Sequence, residues 1–124
     1  MEFSGINLAV LPDSQLDTLA NLNRAAGIQY ADSLVKELEQ AIVRCTIDDA
    51  MTPVAAGFEQ IHALKNMVIP TGSEALLDAC AKLKASAGSM AHGAELRATF
   101  TAIAQAAQRV IEAYRSRLVV EQPV

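Results

Sequence analysis

The chain has 124 residues, 52% of them hydrophobic and only 4% aromatic, with 23 alanines and no Trp. That length fits one domain with a modest core, and the Ala-, Leu-, Glu- and Gln-rich composition favours helices, because these side chains lose little rotamer freedom there. A formal net charge of −4, from 10 basic and 14 acidic residues, argues against a nucleic-acid surface, and no apolar run approaches the ~20 residues that span a bilayer.

Met1-Glu2-Phe3-Ser4-Gly5 lacks the basic start and apolar core of a signal peptide, so a cytoplasmic location is expected. Asp13 follows Pro12 and is positioned to cap a first helix carrying Leu16, Leu19, Leu22 and Ala26, which Gly27 would end in a left-handed turn. Ala31, Leu34, Leu38, Ala41 or Ile42, and Cys45 recur every three or four positions and predict a second helix. Thr46 to Thr52 is a connector with two acids, Asp48 and Asp49.

Thr52-Pro53 has the form of an N-cap followed by Pro at the first helical position. The third helix is predicted from Pro53 to about Val68, with Val54, Phe58, Ile61, Leu64 and Val68 as its stripe. Gly57 inside it costs roughly 1 kcal/mol against Ala, which close helix packing would explain. Pro70 stops the helix. Thr71 and Glu74 have the spacing of a capping box that starts a fourth helix along Leu76, Ala79, Cys80 and Leu83. A loose Ser86–Ser89 stretch and Gly93 precede the fifth helix, whose stripe is Leu96, Phe100, Ile103, Ala107, Val110, Tyr114 and Leu118. The expected architecture is all-α, an antiparallel four-helix bundle with a short additional N-terminal helix. It forms a single domain over 1–124 with flexible ends at about 1–11 and 119–124.

Helical geometry sets one ionisable group apart. His62 lies about 100° around the helix from Ile61, so it flanks the apolar stripe. Lys65 and Asn66 follow at i+3 and i+4, on the same side. An ammonium beside an imidazole disfavours a metal ion. It suits a phosphoryl group, because neutral imidazole is a nucleophile and Lys balances phosphate charge.

His62-Ala63-Leu64-Lys65, followed by Gly72, Leu76, Cys80 and Leu83, resembles the signature of histidine-containing phosphotransfer (HPt) domains. In that family the pattern is His-x-Leu-Lys-Gly, a Gly ten positions after the His, and then a helix with Leu, a small or Cys residue, and Leu. The likeness runs without a gap from His62 to Leu83; the remainder agrees only in helix count, order and length. Asn66 stands where the family usually has Gly, a position that leaves room for the partner's active site. Asn there either narrows the approach or donates a hydrogen bond to the phosphoryl oxygens. The family often places a polar side chain 22 positions after the His, on the neighbouring helix, and here that position is Lys84.

The resemblance implies a phosphorelay carrier. His62 would accept a phosphoryl group from an aspartyl phosphate on a receiver domain and pass it to another receiver, with Lys65 as the charge-balancing donor. The expected partners are response-regulator receiver domains or a hybrid sensor histidine kinase, without nucleic acid or membrane, and the protein is expected to be a monomer. No cofactor is expected on this chain, since the Mg²⁺ belongs to the receiver; nor is direct use of ATP, since there is no Gly-rich nucleotide loop. Ala63, Met67 and Ile69 are expected to frame the docking face. Lys65, Lys82 and Lys84 stand against Glu74 and Asp78 between positions 62 and 84, a local charge of +1 that would draw an acidic receiver pocket.

Two readings of other classes compete. One is a helical adaptor that binds a kinase or receiver without carrying phosphate, suggested by Asn66. The other is a bundle unrelated to signalling that self-assembles through the Leu96–Leu118 seam. Elsewhere the bland reading prevails. His92 is expected to be a surface or capping residue, Cys45 and Cys80 small buried hydrophobes, and Met51, Met67 and Met90 gap fillers. Asp48 and Asp49 read as solvated loop acids, Tyr30 and Tyr114 as packed rings with wet hydroxyls, and Arg115 and Arg117 as last-turn cations.

Overall fold

The computed structural model describes residues 8–88 and 93–120, and among these the regular structure is entirely helical. Five α-helices follow one another: α1 Gln15–Leu22, α2 Arg24–Arg44, α3 Val54–Val68, α4 Glu74–Gly88 and α5 Gly93–Val120. A single 3₁₀ turn, Ile69–Thr71, joins α3 to α4.

The first helix begins one residue later than the sequence predicts. Asp13 has a left-handed φ of +65°, and it is the Ser14 hydroxyl that accepts from the Asp17 amide at 3.2 Å. Gly27 does not end this helix. Asn23 breaks the chain instead: its amide donates to the Leu19 carbonyl at the end of α1, and its side chain accepts from the Ala26 amide at the start of α2. Gly27 is buried within α2, where it meets Ala20 of α1 so closely that an added β-carbon would lie 2.6 Å from the Ala20 Cβ. Its lack of a side chain thus serves a helix crossing, not a turn. Gly57 shows the reverse: an added β-carbon would meet only Ile47, at an ordinary 3.8 Å, so close packing does not account for it.

The longest helices, α2 and α5, pair antiparallel. Three polar contacts set the direction: Arg97 to the Cys45 carbonyl, Gln108 to the Val35 carbonyl, and Arg115 to Asp32. Leu34 and Leu38 of α2 and Phe100, Ile103, Ala107 and Ile111 of α5 are buried, each large side chain contributing roughly 1.5–3 kcal/mol through burial. The apolar seam of α5 is thus buried inside the chain from Leu96 to Tyr114, with Leu118 partly buried. Arg97 also pairs with Asp48 at 3.0 Å, so Asp48 is not merely a solvated loop acid; Asp49 accepts from the Met51 amide. Tyr114 also departs from expectation: its hydroxyl donates to Asp17 at 2.7 Å.

Helices α3 and α4 form a hairpin, with Phe58 early in α3 against Gly88 at the end of α4. Pro53 takes the cap position of α3, without a side-chain hydrogen bond, and Val54 at the head of the predicted stripe is exposed. Thr71 does not cap α4. Its buried hydroxyl donates to the Val68 carbonyl at 2.7 Å and accepts from the Ser73 amide at 3.1 Å. Ser73 is the cap, its hydroxyl accepting from the Leu76 amide. Gly72 between them has φ +71°, a conformation that an L side chain rarely adopts. The helix then continues through Ser86 and Ala87, where a loose stretch was expected.

The N-terminal segment covers this corner. Val10 is buried, and the Leu11 amide donates to the Thr71 carbonyl at 2.9 Å. Leu8 packs against the core beside Val10, whereas Leu11 is exposed, and Val119 and Val120 belong to α5. No helix among the described residues is long and apolar enough to cross a membrane.

Candidate functional site

Ile61, Leu64 and Val68 point α3 into the core, and the 3.6-residue turn then decides what faces outward. His62, Lys65 and Asn66 are all exposed. On α4 the buried residues are Leu76, Ala79, Cys80 and Leu83, which leaves Leu77, Asp78, Ala81 and Lys84 on the side towards α3. Between the two helices lies an open groove of about 920 Å³, lined by both sets. Phe58, Ile61, Ile69, Leu77, Cys80 and Ala81 make its apolar surface. His62, Lys65 and Lys84 stand along it together with two acids, Glu59 and Asp78.

The sequence brings His62, Lys65 and Lys84 into one candidate site, and all three line this groove. Its charge is not what the linear count suggests. Lys82 and Glu74 are exposed but do not line the groove, whereas Glu59, one turn before His62, does. Two cations and two acids line the groove, so it is formally neutral when His62 is uncharged, and not net positive as the linear count gives. Glu59 was the acid left out of that count, and it had a signal: it is at i−3 from His62 on the same helix.

The residues expected to frame docking divide between two surfaces. Ile69 lines the His62 groove. Ala63 and Met67 line a separate hollow of about 230 Å³ towards α2, with Gln40, Ala41, Gln60 and Phe100. Asn66 is exposed on α3 but lines neither.

Cys80 forms part of the groove surface, but it is only 1% exposed. Burial pushes its thiol up to about 11, against the weaker downward pull of the Lys65 ammonium. Cys45 is raised by burial as well. Both therefore behave as small apolar side chains, not as nucleophiles. Met51 is 87% exposed and fills no gap. Arg117 lies over the Tyr114 ring at 5.3 Å, and Arg115 pairs with Asp32. His92 and Met90 fall outside the described residues. Among the described residues, no three His, Cys, Asp or Glu side chains are grouped so as to hold a metal ion.

Comparison of the chain with protein-family models, with curated proteins and with solved structures found no match.

Proposed function

We propose that this chain is a phosphoryl carrier of the histidine phosphotransfer type, built as an antiparallel four-helix bundle with α1 as the short additional helix. The observation that carries this reading is the placement of His62: exposed on α3, with Lys65 one turn on and Lys84 along the same groove on α4. The α2–α5 pair and the α3–α4 hairpin are the two halves such a bundle needs.

In the proposed reaction the lone pair of one imidazole nitrogen attacks the phosphorus of a receiver's aspartyl phosphate. The N–P bond forms as the P–O bond breaks, the electron pair stays with the aspartate, and the remaining ring N–H proton is released to solvent. Reversal onto a second receiver completes the relay. Lys65 and Lys84 offset the charge of the phosphoryl oxygens, and the rigid helix holds the nucleophile in place. The Mg²⁺ and the acids that bind it belong to the receiver. Docking onto the groove then rests on its apolar surface, Ile69 included, more than on long-range attraction.

A receiver domain carrying radiolabelled phosphate tests the reading. Label is expected on the wild-type chain and not on His62→Gln; label retained by that variant overturns the proposal. Asn66, exposed one turn after His62, favours a second reading, an adaptor that docks on receivers or kinases without accepting phosphate. Binding that survives His62→Gln, with no phosphohistidine formed on the wild type, selects it.

A further inference from the structure

The acids of the groove have a role that the phosphoacceptor and its lysines leave unassigned. Glu59 sits three residues before His62 on α3, and residues so spaced have Cβ atoms about 5–6 Å apart. Asp78 reaches the same groove from α4. Both are exposed, and neither is taken up in a salt bridge among the described residues. A phosphoryl group on His62 adds a charge of about −2 to the surface. Lys65 and Lys84 attract that charge, while Glu59 and Asp78, which line the same open groove, repel it through solvent.

We infer that Glu59 and Asp78 lower the phosphoryl affinity of His62, so that the site passes the group on instead of storing it. This deepens the carrier reading and rests on it. The two acids contact no reacting atom in this scheme; they set the equilibrium between donor and phosphohistidine through the field they place on the groove.

Phosphoramidate as the phosphoryl donor tests the inference on the full chain without any receiver. The imidazole lone pair forms the N–P bond, the donor's P–N bond breaks, and ammonia takes up the remaining ring proton and leaves as ammonium. The equilibrium between phosphoramidate and phosphohistidine is followed by phosphorus NMR at low and at high ionic strength. The Glu59→Gln/Asp78→Asn double variant is expected to favour phosphohistidine about three- to tenfold more than wild type at low salt, with most of the gain lost at high salt. Glu59→Asp should stay near wild type, and Lys84→Gln should shift the equilibrium the other way. Equal loading of the double variant and wild type overturns the inference while leaving the carrier reading intact. So does a gain that salt does not reduce, since a purely structural change would not be screened. Failure of wild-type His62 to form any phosphohistidine overturns both.

Discussion

Gly27 on α2 and Ala20 on α1 touch backbone to backbone: a β-carbon on Gly27 would lie 2.7 Å from the Ala20 Cα and 2.6 Å from its Cβ. Gly27→Ala gains about 1 kcal/mol of helix propensity but must push α1 away from α2. Overpacking of this kind costs typically 1–3 kcal/mol. The expected net result is a loss of stability and a lower Tm, measurable by thermal melting. An unchanged or higher Tm would show that α1 moves freely.

The Tyr114–Asp17 bond makes stability depend on acid. The Tyr114 hydroxyl, with the Asp13 amide as a second donor, holds the Asp17 carboxyl below its ordinary 3.8. The folded state thus favours the carboxylate, and its contribution is present above about pH 4 and lost as pH falls through the lowered value. Tyr114→Phe should cost about 1 kcal/mol near neutrality and flatten the acid limb of a urea-midpoint profile. An acid limb identical to wild type would remove this bond from the account.

Cys80 gives the complementary alkaline limb. With its thiol moved from 9.0 to about 11, the folded state favours the neutral form. Its contribution is therefore fully present below pH 9 and falls away between 9 and 11 as the unfolded chain ionises first. A thiol reagent at pH 8 should modify the native protein about a hundredfold or more slowly than the denatured chain. Rapid labelling of Cys80 in the native state would contradict its burial.

On the proposed carrier function, Asn66→Gly asks whether this side chain obstructs a receiver. The change costs less than about 0.5 kcal/mol of helix propensity, so the fold should persist. If Asn66 only obstructs, transfer from a labelled receiver to His62 is preserved or quickened. Slower transfer would show that its amide takes part.

What was legible in the sequence follows from the period of the helix. The stripe at Ile61, Leu64 and Val68 puts His62 and Lys65 outside as a matter of geometry, and both are exposed. Helix ends were less legible because neighbouring polar residues compete for one capping amide. Ser14 prevails over Asp13, which adopts a left-handed φ, and Ser73 prevails over Thr71, whose hydroxyl is engaged with Val68. Gly27 signalled either a stop or a close approach, and only the position of Ala20 decides between them. The groove's charge was illegible for a related reason. A tally along positions 62–84 includes Lys82 and Glu74, which do not line it, and omits Glu59, which does.

The corner between α3 and α4 is sealed by residues far away in sequence. The Leu11 amide is bonded to the Thr71 carbonyl, and an added β-carbon on Gly72 would come within 3.0 Å of the Ser14 Cβ. The hairpin that carries His62 and Lys84 is therefore not a free pair of tweezers. Its vertex is held by the turn at residues 11–14, and splaying its arms from that vertex would require that turn to let go. The groove's hinge end is thus braced by a segment that contributes no side chain to the groove itself.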